Sequence, residues 1–158
     1  MGIFSFIKDA GEKLFGKHEA EKAPEKSIEE LNYEKAQRLK DHILAMGLPV
    51  EKLNIIIVDD KAIVYGECPS QEVREKVILT VGNTEGIAEV DDRLEVEEPA
   101  PEAQFYTVQK GDYLSKIAKQ FYGDPNKYML IFEANKPMLK DPDLIYPGQV
   151  LRIPPLEE

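Results

Sequence analysis

Few side chains in this sequence are spaced for chemistry. The histidines, His18 and His42, lie far apart with no metal-ligand spacing. Cys68 is the only cysteine, which excludes an intrachain disulfide and a Cys-based metal centre. No Ser/His/Asp, Cys/His or phosphate-loop arrangement occurs, so the chain reads as a non-enzyme. The acid pairs Asp59-Asp60 and Asp91-Asp92 could draw cations, but adjacent acids on a hairpin turn or at a strand start are ordinarily solvated charge. Thr80 to Asp92, TVGNTEGIAEVDD, carries no histidine, cysteine, serine or lysine, so any function must come from its backbone or its acids. The last carbonyls of a helix lack intrahelical partners and carry the negative end of its dipole. Gly82 and Gly86 permit positive φ, which can turn neighbouring oxygens inward. By itself, though, a glycine pair after a helix reads as ordinary capping.

The elements that must hold such a turn follow from composition and pattern. A chain of 158 residues, 42% hydrophobic and 32% charged, suits one large domain or two small ones in a globular protein. The formal charge of -10 argues against nucleic acid and against anionic membrane surfaces, and leaves small cations open. In the opening MGIFSFIKDAGEKLFG, Lys8 and Asp9 cut the apolar run, no cleavage site follows, and nothing later approaches the roughly 18 apolar residues of a span. With Phe6 where Ser or Thr would stand, the start also fails as a myristoylation signal. A cytoplasmic location is expected. Ile3, Phe4, Phe6, Ile7, Ala10, Leu14 and Phe15 share one face at helical spacing, which predicts an N-terminal helix over residues 1–16 that covers a core.

Lys17 to Lys26 is charged, contains Pro24, and reads as a linker. Ser27-Ile28-Glu29-Glu30 fits a capping box opening a helix that Gly47 and Pro49 stop. Leu53–Val58 and Ala62–Tyr65 are β-branched runs joined as a hairpin, and Pro69-Ser70-Gln71-Glu72 starts a second helix ending near Gly82. Ala88–Val96 alternates as a third strand. The order α-β-β-α-β is an α+β layer design. Glu97 to Glu102 is acidic and Pro-rich, a semi-stiff spacer, so residues 97–104 are expected as a domain boundary. Beyond it, Tyr106-Thr107-Val108 is a strand, Asp112 a helix N-cap, Gly123 a helix stop, Asp124-Pro125 a second cap, and the run from Ile145 to Pro154, with its Pro147-Gly148 turn, supplies the closing strand.

Residues 27–96 resemble a BON domain, including the Gly-Ile-Ala-Glu-Val-Asp-Asp segment before its last strand. Residues 105–154, with their Gly-Asp-x-Leu, Ile-x-x-x-Asn and Pro-Gly-Gln-x-Leu-x-Ile-Pro elements, resemble a β-α-α-β LysM domain. LysM resemblance implies binding to N-acetylglucosamine polymers such as peptidoglycan, which would need export. A single LysM module also offers few contacts where avidity normally helps. Together with the Met-Gly-x-Phe-x-Phe-x-Lys-Asp-Ala-Gly-Glu-Lys-Leu start, the whole chain is similar to the small cytoplasmic potassium-binding proteins of enteric bacteria, the Kbp family. It departs from the family mainly at Gly16 to Glu34, at Cys68 and at the C-terminal Pro-Leu-Glu-Glu. The resemblance implies a potassium ion enclosed by main-chain carbonyls of Ile7 and Ala10 with Gly82, Thr84, Ile87 and Glu89. It also implies a monomeric sensor or buffer whose domains order on binding. The rivals are a peptidoglycan-binding module using Gly111 to Leu114 and Asn135-Lys136-Pro137, and an interaction adaptor whose protein partner the residues do not name.

Overall fold

The computed structural model describes residues 2–11, 13–14 and 27–155. His18, Phe15 and the expected linker Lys17 to Lys26 lie outside them. The architecture is α+β. Strand β1 (Gly2–Ser5) is followed by helix α1 (Ile28–Ala45), the hairpin β2 (Glu51–Val58) and β3 (Lys61–Ser70), helix α2 (Gln71–Gly82) and strand β4 (Glu89–Glu98). These strands form one sheet in the order β1-β4-β3-β2. The hairpin turns at Asp59, which takes φ 55, and α2 is the crossover that lets β3 and β4 run parallel.

Local chemistry explains the boundaries. Ser27 accepts from the Glu30 N–H at 3.1 Å and Ser70 from the Val73 N–H at 3.3 Å, so each helix starts on a serine cap. Strand β2 alternates, with Leu53, Ile55 and Ile57 buried beneath Ala36, Leu39 and Ile43 of α1 and Val77, Ile78 and Val81 of α2. Val90 and Leu94 of β4 complete that core.

The N-terminal helix expected over residues 1–16 is corrected where the structure describes it: Gly2–Ser5 is a strand antiparallel to β4, pairing Gly2 with Asp92 and Ser5 with Glu89. Residues 8–10 form a turn. The run IFSFI suits a period of two as well as 3.6. Phe4 and Phe6 pack on the core while Ile3 is 60% exposed, because an unpaired edge of β4 offers backbone partners that a short helix would not. The sheet therefore has four strands, one more than expected.

The C-terminal unit places β5 (Gln104–Thr107) antiparallel to β6 (Val150–Ile153). Between them lie α3 (Leu114–Tyr122), a 3-10 turn at Pro125–Lys127 and α4 (Tyr128–Ala134). Gly123 ends α3 at φ 75, and Asp124 caps the next turn through the Asn126 N–H at 2.9 Å. Asp112 is not a helix cap: α3 begins after Tyr113, and the Asp112 carboxylate instead accepts from the Gln109 N–H at 2.8 Å and from the Tyr106 hydroxyl. Burial raises its pKa, but these donors and Lys116 hold it below the ordinary value, while the Tyr106 hydroxyl is pushed up to about 12.

Candidate cation site

The expected ligand residues fall on two stretches, and the fold brings those stretches together. Residues 6–11 leave β1 and lie across the turn that connects α2 to β4. Phe6 donates its N–H to the Ala88 carbonyl at 2.8 Å, and Gly86 donates to the Lys8 carbonyl at 2.6 Å. A Cβ on Gly11 would collide with the Asn83 carbonyl and stand 2.5 Å from the Thr84 carbonyl carbon, so the two backbones touch.

Each residue then has a definite place. Ile7 is half exposed, and its carbonyl accepts from the Ala10 N–H at 3.1 Å. Gly82 is the last residue of α2 and buried. Thr84 is 2% exposed; its carbonyl accepts from the Ile87 N–H at 3.1 Å while its hydroxyl donates to the Thr80 carbonyl at 3.0 Å. Ile87 buries its side chain in the core, which aims the turn but leaves only its backbone for other work. Glu89 opens β4 between Ser5 and Lys61, inside the sheet ladder. A carbonyl oxygen has two lone pairs, so the single N–H on Ile7 or Thr84 leaves acceptor capacity.

The glycines act differently from one another. Gly86 takes φ 100, the left-handed turn expected of it. Gly82 does not: it stays helical, and the cap residue is Asn83 at φ -83. What requires glycine at 82 is space, since a Cβ there would collide with the Phe6 ring.

Side chains add little cation-binding chemistry. Among the described residues no three His, Cys, Asp or Glu stand together as a metal site. Asp91 pairs with Arg93 at 3.0 Å, and hydrogen bonding to that guanidinium lowers its pKa. Asp92 is 1% exposed rather than solvated, and takes Arg74 Nε at 2.7 Å and the Leu94 N–H at 2.9 Å. Both acids are already satisfied. The Cys68 thiol is raised to about 11 by burial and then by the Asp92 charge, which leaves it protonated and unreactive.

Phe6, Gly11 and Asn83 belong to this site and were missed from sequence. Gly11 falls inside the expected N-terminal helix, and the type of Asn83 gives no sign of a partner as distant as Val150. Asn83 is 5% exposed and works across the domain boundary: its Nδ2 donates to the Val150 carbonyl at 2.8 Å and its Oδ1 accepts from the Val150 N–H at 2.9 Å.

Comparison with known proteins bears on this geometry. A BON domain profile matches residues 35–98 and a LysM domain profile matches residues 106–154. Over 159 aligned residues the chain is 50% identical to "Potassium binding protein Kbp" of Escherichia coli O6:H1, covering 98% of this chain and 99% of that protein. The chain belongs to the Kbp family. A second relative, an uncharacterized protein of Deinococcus radiodurans, is 55% identical over 49 residues that make up 31% of this chain and 19% of that one. The Kbp relative spans both domains and the segment ahead of α1, so the convergence of residues 6–11 with the turn after α2 lies wholly inside the shared length.

Proposed function

We propose that this chain binds potassium reversibly through backbone carbonyls of Ile7, Ala10, Gly82, Thr84 and Ile87, with Glu89 at the margin, and acts as a cytoplasmic potassium sensor or buffer without a catalytic step. The observation that carries this reading is the stitching of residues 6–11 onto the 82–88 turn by the Phe6–Ala88 and Gly86–Lys8 hydrogen bonds. Two carbonyl-bearing stretches, distant in sequence, meet with neutral oxygens and no carboxylate cluster among the described residues. That donor set fits a large monovalent cation and not calcium or magnesium. Membership of a family containing a protein named for potassium binding supports the same ion.

Bound potassium would bridge residues 6–11 to the turn they already touch and order the N-terminal strand with them. A ligand at a hundred times its dissociation constant stabilises a fold by about 2.7 kcal/mol. For a chain of this size that is roughly 5–10 °C in Tm. Melting in KCl against equimolar NaCl is the test: a rise of that order in KCl is expected, and superimposable curves would rule the reading out. Retention on insoluble peptidoglycan with no potassium effect would favour the glycan-binding alternative that the LysM match allows.

A further inference from the structure

The C-terminal domain reaches both halves of the candidate site with a stretch of three consecutive residues. Gly148, at φ 90, lies against the N-terminal turn: a Cβ there would stand 2.5 Å from the Ala10 Cβ and 3.4 Å from the Ile7 Cδ1. Val150 is gripped through both its N–H and its carbonyl by Asn83, which sits between Gly82 and Thr84. The stretch itself is fixed from behind, because the Gly148 N–H donates to the Val108 carbonyl and the Val108 N–H to the Gln149 carbonyl, each at 2.8 Å.

We propose, on the basis of the potassium reading above, that Gly148 to Val150 of the LysM domain is the third wall of the site and sets the gap between its two carbonyl-bearing segments. Gly148 is then an affinity-determining positioning residue that supplies no ligand. Its missing side chain is what lets Ala10 and Ile7 settle close to the 82–88 turn. A methyl group at 148 must move the N-terminal turn, since 2.5 Å is shorter than any ordinary carbon contact. Cation cages tolerate displacements of only about half an ångström in their first shell.

The test compares three full-length variants by potassium titration and by hydrogen exchange in potassium-free NaCl buffer. Gly148→Ala introduces both the collision and the strain of a side chain at positive φ. Gly111→Ala carries the same strain at φ 89 in the same domain but meets nothing within 4 Å. Asn83→Ala releases Val150 and so frees the other end of the wall.

Gly148→Ala should weaken potassium at least tenfold and speed exchange of the Gly86 and Phe6 amides even without potassium. Gly111→Ala should do neither, and Asn83→Ala should weaken potassium and speed the same amides as Gly148→Ala does. Should Gly148→Ala fail to fold, Asn83→Ala decides: a tenfold loss supports the wall, and wild-type-like potassium affinity overturns it. Wild-type-like potassium affinity in folded Gly148→Ala, or an equal loss in Gly111→Ala, would overturn the inference and leave the potassium reading standing. Indifference of the unmodified protein to potassium would remove that reading and this inference with it.

Discussion

In the proposed cage Thr84 would do two jobs with two halves of one residue. Its hydroxyl holds the end of α2 through the Thr80 carbonyl at 3.0 Å, and its own carbonyl belongs to the candidate cage. Valine keeps the shape and the carbonyl and deletes the hydroxyl. Thr84→Val should therefore lose about 1 kcal/mol in urea denaturation, while the extra stability in KCl over NaCl stays that of the unmodified protein. A potassium shift that vanished with the hydroxyl would point to side-chain ligation instead. The same division explains what could be read from sequence at this scale. Side-chain chemistry is visible in residue types, and the paucity of histidine, cysteine and nucleophile spacings was plain. A carbonyl is carried by every residue, so nothing local distinguishes Ile7 or Thr84 from its neighbours, and those positions came only from the family resemblance.

At the scale of elements, capping chemistry was legible and the N-terminal segment was not. Ser27, Ser70 and Gly123 each bound a helix for the reason their types suggest. IFSFI fails as evidence because it is too short to separate two periods, and what decides between them is the open edge of β4, supplied from much later in the chain. Gly82 shows the same limit. It was expected as a flexible cap, yet it is a helical residue whose hydrogen sits under the Phe6 ring of the N-terminal segment. This contact has a sign that helix propensity alone would get wrong. Alanine in place of a helical glycine ordinarily gains up to about 1 kcal/mol, but here the added methyl must displace Phe6, and overpacking costs about 1–3 kcal/mol. Gly82→Ala should be destabilising in urea denaturation, and Phe6→Ala/Gly82→Ala should be less destabilised than the sum of its single variants. Additivity, or a stabilised Gly82→Ala, would show that Phe6 does not rest on α2.

The whole molecule departs from the expected picture of two modules on a spacer. Residues 99–103 do follow β4 without regular structure, but Ala103 is buried and donates its N–H to Glu75 Oε2 at 3.0 Å, so the end of the spacer is tied to α2. Composition revealed the acidic, Pro-rich stretch and gave no sign of that tether, because the partner lies in another element. Phe4 of β1 meets Phe105 of β5 edge to face at 5.5 Å, which joins the two units along a second line. The open side of β6 is closed by two asparagine side chains: Asn83 pairs with Val150, and Asn135 accepts from the Arg152 N–H at 2.9 Å and donates to its carbonyl at 3.0 Å. One comes from each domain, so the strand is finished only when the domains are docked.

At the centre of this contact Arg152 of β6 reaches Glu75 of α2 at 2.8 Å, with the two side chains 10% and 4% exposed. Removing one member of a buried pair leaves an uncompensated charge and costs about 3–5 kcal/mol, whereas removing both can be close to neutral. Glu75 would still hold the Ala103 N–H and the Gln71 amide at 3.0 Å, which places Arg152→Leu toward the lower end of that range. Glu75→Gln/Arg152→Leu should regain much of the loss, because glutamine keeps an acceptor for Ala103 without the charge. Urea denaturation followed by far-ultraviolet circular dichroism and by tyrosine fluorescence would measure both. The unmodified chain should unfold in one transition shared by the two probes, and Arg152→Leu should separate them as the LysM domain, which carries Tyr106, Tyr113, Tyr122, Tyr128 and Tyr146, loosens first. A loss under about 1 kcal/mol with coincident probes would mean that Glu75 and Arg152 do not hold the domains together, and the docking would then have to rest on Asn83, Phe4 and the Gly148 turn.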